Sequence, residues 1–252
     1  MTYALQYSTE PVIIAPDYGG LCDLVAAQIA ALVRNKPDAV LGLATGSTPL
    51  GVYELLVHAA HHEGLDFSNV TCFNLDEYFP MSAQSPHSYH QFMAVNLFKH
   101  IHCRRWLVPD GRLRSEVDVA QSCSEYEAAI KEVGGIDLQL LGIGRSGHIG
   151  FNEPGSSPDS RTRLVTLNAV TREDAAASFG GLENVPLQAV SMGIGTILEA
   201  REILLMASGA GKAEIVHMAW TREPTARLPA SWVHKHPNAR LYLDAAAAQS
   251  FS

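Results

Sequence analysis

The sequence predicts an α/β fold, a mostly parallel sheet with helices on both faces. Short apolar runs alternate with helix-length amphipathic segments, which is the pattern of βαβ units. Residues 39–44 are apolar throughout, as a strand buried on both faces requires, and residues 136–143 read as the clearest buried strand. In order, strands are expected near residues 12–14, 39–44, 70–75, 136–143, 188–192, 201–207 and 239–243. Helical periodicity marks residues 17–35, 89–102, 119–133 and 211–220. A further helix opens at Pro49, with Leu50, Tyr53, Leu56 and Val57 along one side. Residues 152–184 break the pattern. They are rich in Pro, Ser, Arg, Asp and Gly, and only a short helix near residues 172–179 is expected. A long irregular segment in a compact domain reads as a functional lid. No internal repeat or proline-rich linker interrupts the chain, so residues 1–252 are expected to form a single domain carrying that lid.

Composition narrows the function classes. Of 252 residues, 47% are apolar and 17% charged, and the net charge is −8. Lys and Arg are not clustered, which argues against a nucleic-acid partner. An anionic ligand would have to be held by a few local donors. No run approaches the ~18 apolar residues of a membrane span. The opening MTYALQYSTEPV lacks the basic and apolar regions of a signal peptide. Cys22, Cys72, Cys103 and Cys123 form no C-x-x-C pair and read as free thiols, so a cytoplasmic protein is expected.

Loops at the carboxyl ends of parallel strands are where such folds build sites, and three here carry unusual chemistry. In the first, Thr45, Gly46, Ser47 and Thr48 precede Pro49 between a strand and a helix. Small residues let backbone N–H groups converge and their hydroxyls add donors, an arrangement suited to phosphate. An ordinary turn capped by Thr48 is the alternative. No Walker pattern is present, and Gly209-Ala210-Gly211-Lys212 lacks its first glycine and its hydroxyl residue.

The second loop places Asp76 and Glu77 at a strand end, where a carboxylate can move a proton on a bound ligand. Neighbours on a strand point to opposite faces, so only one of the two can enter a given pocket. A helix cap or a solvated turn is the other use of such residues.

The third loop, residues 142–154, contains G-x-G-x-x-G directly after a strand. It does not open a helix, because Gly150 and Pro154 follow closely, and no acidic strand end lies ~20 residues on. A dinucleotide site is therefore rejected. The glycines instead let the backbone approach a ligand while presenting His148 and Glu153, a familiar acid–base pairing. The histidines at 61, 62, 100, 102, 234 and 236 lack metal-ligand spacing, so no metal is expected. Arg161, Arg163, Arg172 and Lys212 are scattered cations, any of which would clamp a phosphate if its loop folded over the pocket.

Taken together, ATGSTPLGVY, FNLDEYF with SPHSYHQFM, and GIGRSGHIGFNEPGSSPDSRTR resemble the glucosamine-6-phosphate deaminases. The likeness continues through residues 168–172, 192–197 and 208–212 and so covers nearly the whole chain. The 6-phosphogluconolactonases share the fold and a glycine-rich loop, but the FNLDEY and GHIGFNEP pair points to the deaminase branch. The resemblance implies a modified Rossmann-like α/β fold, no metal and no redox cofactor. It implies conversion of glucosamine 6-phosphate to fructose 6-phosphate and ammonium, with galactosamine-6-phosphate deamination or lactone hydrolysis as alternatives. On it, Asp76 resembles the base that moves a proton between C2 and C1. His148 resembles the group that opens the sugar ring, with Glu153 orienting it. Thr45, Gly46, Ser47, Thr48, Arg172 and Lys212 resemble the phosphate set, while Tyr89 and Gly144 line the sugar site.

Two departures stand out. Ser146 occupies a position where many relatives carry Asp and others Asn, so Glu153 is expected to support His148 alone. Val165 stands where relatives activated by N-acetylglucosamine 6-phosphate carry lysine, and those relatives have a longer carboxyl-terminal extension. With short relatives including monomers, a monomer or a homo-oligomer is expected. Adding N-acetylglucosamine 6-phosphate to an ammonium-release assay should leave the apparent KM unchanged, and a several-fold fall would contradict this.

Overall fold

The computed structural model describes residues 11–112 and 115–251, so residues 1–10 of the opening stretch lie outside the described residues. The first half of the chain lays down β1 (Val12–Ala15), α1 (Tyr18–Asn35), β2 (Val40–Leu43) and α2 (Leu50–His62). It continues through β3 (Thr71–Asn74), β4 (Asp76–Phe79), α3 (Tyr89–Met93), β5 (Arg105–Leu107) and α4 (Glu116–Glu132). The second half adds β6 (Leu138–Leu141), β7 (Arg163–Thr166), α5 (Ala169–Ala176), β8 (Gln188–Ser191) and α6 (Ile194–Leu198). It closes with β9 (Glu202–Ala207), α7 (Ala213–Thr221) and β10 (Ala239–Asp244).

Seven strands form a wholly parallel sheet in the order β1-β10-β9-β6-β2-β3-β5. Alternate residues enter opposite layers, as the pleat demands. Leu204 and Met206 of β9 pack with α1 and α2 residues such as Val25, Ile29, Val52 and Leu56. Ile203 and Leu205 pack with Tyr126 and Ile130 of α4 and with Val216 of α7. Burial on both faces explains why the strands read as continuous apolar runs.

The lid-like stretch differs from expectation. Residues 152–184 hold a strand and a helix: β7, then α5, which starts at Ala169 because the Asn168 side chain accepts from the Thr171 amide at 2.9 Å. With β4 and β8, β7 completes a separate three-stranded antiparallel sheet in the order β4-β8-β7. The 188–192 run thus leaves the main sheet. Its pairing partners are distant in sequence (Ala189 with Val165, Val190 with Glu77), and period alone does not reveal such partners. The expected 89–102 helix ends α-helically at Met93 and passes into a wider π turn over Ala94–Phe98. Thr48 does not cap α2, whose first turn begins after Pro49 without a side-chain cap.

Leu204 sits fully buried at the centre of the main sheet. Leu204→Ala should cost about 3 kcal/mol, read as a fall in Tm of roughly 6–12 °C for a chain of this size.

Candidate active site

Strands β2 and β6 are neighbours, and from them the chain proceeds in opposite directions across the sheet, through β3 to β5 and through β9 to β10. A crevice at the carboxyl ends is the geometric result. About 200 Å³ in volume, it is lined by Thr45, Gly46, Ser47, Thr48, Asp76, Tyr89, Gly144, His148, Gly150 and Phe151 among others. A larger groove of about 1160 Å³ lies between α4 and β7 and contains Val165. None of Asp76, Tyr89 and His148 lines it, so the chemistry belongs to the smaller crevice.

The hydroxyl-rich turn is braced from beneath. Tyr53 donates its hydroxyl to the Ala44 carbonyl, and Tyr18 reaches the Thr48 carbonyl at 3.1 Å while accepting from the Gly51 amide at 3.0 Å. These two tyrosines carry no sequence signal for such a role, since each also fits a helix's apolar face.

The carboxylate pair divides as its alternation requires. Asp76 enters the crevice. Glu77 faces away and accepts from the backbone amides of Tyr78 (2.9 Å), Tyr89 (2.9 Å) and His90 (3.0 Å), capping the start of α3. Burial pushes the Glu77 carboxyl up to about 7 against the pull of those three donors. Asp76 is 5% exposed. Burial, and next the neighbouring Glu77, hold its carboxyl well above the usual carboxylate range.

His148 lies across Gly144. A Cβ at 144 would fall 2.1 Å from the ring, so only glycine leaves room for the imidazole. Gly150, at φ +54°, brings the backbone past the Asp76 carboxylate, where a Cβ would lie 3.2 Å from Oδ2. Three groups face His148 Nδ1: Ser146 Oγ at 2.9 Å, Thr171 Oγ1 at 3.3 Å and Glu153 Oε2 at 3.6 Å. Glu153 is in turn held by the Asn168 side-chain amide at 2.6 Å. The expectation that Glu153 supports His148 alone is therefore corrected, because two hydroxyls stand closer. Thr171 was not singled out from sequence, since a threonine three residues past a helix cap has many ordinary uses. Burial draws the imidazole below its usual range, with Glu153 opposing and Lys212 assisting.

Of the expected phosphate cations, Lys212 approaches the crevice floor, donating to the Ile143 carbonyl at 2.7 Å. Its loop is held by Asp244, which accepts from the Ser208 hydroxyl (2.5 Å) and the Gly209 amide (3.0 Å). Arg172 is not brought in. Its guanidinium donates to the carbonyls of Leu182 (2.9 Å) and Val185 (3.2 Å), tying α5 to the turn that follows. On a helix, direction is set by turn position, which the motif's spacing did not resolve. Arg161 and Arg163 are likewise engaged elsewhere, with Glu127 and Glu199 and with Asn152 and Ser156. Among the described residues, no group of three or more His, Cys, Asp or Glu side chains converges as a metal site would.

A parallel α/β sheet with a hydroxyl-lined turn, a buried carboxyl and an imidazole at its switch point defines a class that handles small anionic sugars. The chain belongs to the glucosamine-6-phosphate isomerase/6-phosphogluconolactonase family, whose description matches residues 19–242. It is 47% identical to the glucosamine-6-phosphate deaminase of Bacillus velezensis, over 94% of this chain and 98% of that one. The Rhodopirellula baltica glucosamine-6-phosphate deaminase is also 47% identical, over 93% of each chain. A solved monomeric glucosamine-6-phosphate deaminase superposes with a TM-score of 0.91 at 41% identity, covering 96% of this chain and all of that one. The 6-phosphogluconolactonase of Trypanosoma cruzi, at 20% identity and a TM-score of 0.77, shares the fold over 97% of this chain and 98% of its own.

Gly144→Ala should displace the imidazole while leaving the sheet intact. The expected outcome is a loss of turnover of at least tenfold, as misplacement of a reacting group predicts, with Tm within a few degrees of the parent.

Proposed function

We propose that this chain converts glucosamine 6-phosphate and water to fructose 6-phosphate and ammonium. The observation that carries this reading is the meeting of Asp76, His148 and the Thr45–Thr48 hydroxyls in one crevice. Relatives bearing that activity's name over nearly the full chain support it.

In this reading His148 opens the pyranose, taking the proton of the anomeric hydroxyl and returning it to the ring oxygen. A neutral imidazole is required to accept that proton, and burial favours the neutral form. Ser146, Thr171 and Glu153 fix the ring through Nδ1. Asp76 then takes the C2 proton of the open-chain aldehyde while the C2 ammonium yields a proton to O1, giving an enolamine, and delivers its own proton to C1. The resulting C2 imine adds water and expels ammonia, leaving the ketone of fructose 6-phosphate. Tyr89 and Gly144 bound the sugar, while the 45–48 turn and Lys212 hold the phosphate, so that binding energy from the non-reacting end positions C1 and C2. The chain works as one domain in the cytoplasm, with residues 152–184 serving as the lid.

Asp76 must be ionised to act, and burial opposes that. Substrate brings an ammonium to C2, which favours the carboxylate. The acid limb of the kcat/KM profile, which reports free enzyme, should therefore lie at higher pH than the acid limb of kcat. Coincident limbs would remove Asp76 from this role. Asp76→Asn should lower kcat by roughly 10²–10⁴-fold with little change in KM.

The deciding experiment is ammonium release, with chelator present, from glucosamine 6-phosphate and galactosamine 6-phosphate side by side. Release from the first supports the reading. Release from the second alone keeps the chemistry and changes the epimer, and lactone hydrolysis with silence from both refutes it.

A further inference from the structure

A phosphomonoester carries close to two negative charges near neutral pH, and a chain of net charge −8 offers no general field to hold them. With Arg172 turned to the carbonyls of Leu182 and Val185, Lys212 is left beside the crevice needing a second cation. Arg145 is placed to supply one. It stands between Gly144, which lines the crevice, and Ser146, whose hydroxyl meets His148. Its guanidinium pairs with Asp174 on α5, one turn after Thr171, which also contacts His148. The Asp174 charge acts on Lys212 and His148 as well, and Lys212 feels Arg145, so the four groups interact around the glycine-rich loop.

We propose that Arg145 is the second phosphate-binding cation of this site, held in place by Asp174 until the substrate phosphate displaces that carboxylate. The inference rests on the sugar-phosphate reading of the crevice. Both side chains of the pair are substantially exposed, 55% for Arg145 and 38% for Asp174, so the pair is weak and exchangeable. A phosphate can take the guanidinium fork as a carboxylate does, and its nearly two negative charges favour it over a singly charged, exposed carboxylate. Lys212 is partly buried and bonded to the Ile143 carbonyl, whereas the Arg145 side chain is exposed and paired with Asp174. Asp174 lies on α5, so its release would also alter how the 152–184 segment meets the glycine-rich loop.

Inorganic phosphate is the probe, titrated against the full chain and followed by thermal shift, which reports ligand binding to the folded state without requiring turnover. Phosphate should raise the Tm of the parent. Arg145→Ala should weaken apparent phosphate affinity roughly tenfold or more, with Arg145→Lys intermediate. Arg172→Ala should lower the Tm of the ligand-free protein, because it frees two carbonyls, yet keep the phosphate response. With glucosamine 6-phosphate, Arg145→Ala should raise KM more than it lowers kcat. Parental phosphate affinity in Arg145→Ala overturns the proposal, as does a response lost in Arg172→Ala and kept in Arg145→Ala. Absence of any phosphate response in the parent overturns it too. A parent that binds phosphate through Arg145 but releases no ammonium instead refutes the deaminase reading and leaves the subsite standing.

Discussion

From the neighbouring strands β2 and β6 the chain departs toward opposite edges of the sheet, and a crevice opens at their carboxyl ends. Three loops converge there because their strands are rigid neighbours, each fully buried and packed on both faces. The turn after β2, the acid after β3 and the glycine-rich loop after β6 therefore meet at a fixed separation. Remote packing supports them further: Tyr18 and Tyr53 beneath the turn, Glu77 at the start of α3, and Asp244 behind the Lys212 loop. Precision of this kind is what proton transfer between positioned groups requires.

The small antiparallel sheet has a separate purpose. Pairing β4 with β8 turns the chain immediately after β3, so Asp76 is drawn under cover and Glu77 is sent the other way. Tyr78, Phe151, Leu167 and Phe179 then close an apolar cluster beside the crevice. Low dielectric follows, and it acts on three site groups in the same sense. It raises Asp76, lowers His148 and lowers Lys212. Burial favours the neutral imidazole that can accept a proton, whereas it opposes the ionised carboxylate that a base needs. In such surroundings the serine at 146 is not a simple loss of charge. A hydroxyl can donate to or accept from a neutral imidazole, and it stands closer to Nδ1 than Glu153 does.

Much of this molecule is legible in its sequence. Apolar periodicity and the alternation of runs determined a mostly parallel sheet with helices on both faces and the positions of most elements, because burial on both faces leaves a continuous apolar signature. Motif chemistry determined that Asp76, His148 and the 45–48 turn belong together, and alternation alone separated Asp76 from Glu77. Tertiary structure decided the rest. Strands β4, β5 and β7 are not expected from sequence, and for β4 and β7 the reason is that their signal is pairing with a distant partner in a half-exposed sheet, not a local period. The partners of His148 Nδ1 come from its own loop and from α5, and the choice between Arg172 and Arg145 turns on which way each side chain points. Spacing along a chain specifies which residues are available. Only packing specifies their direction, and direction is what places charge on a substrate.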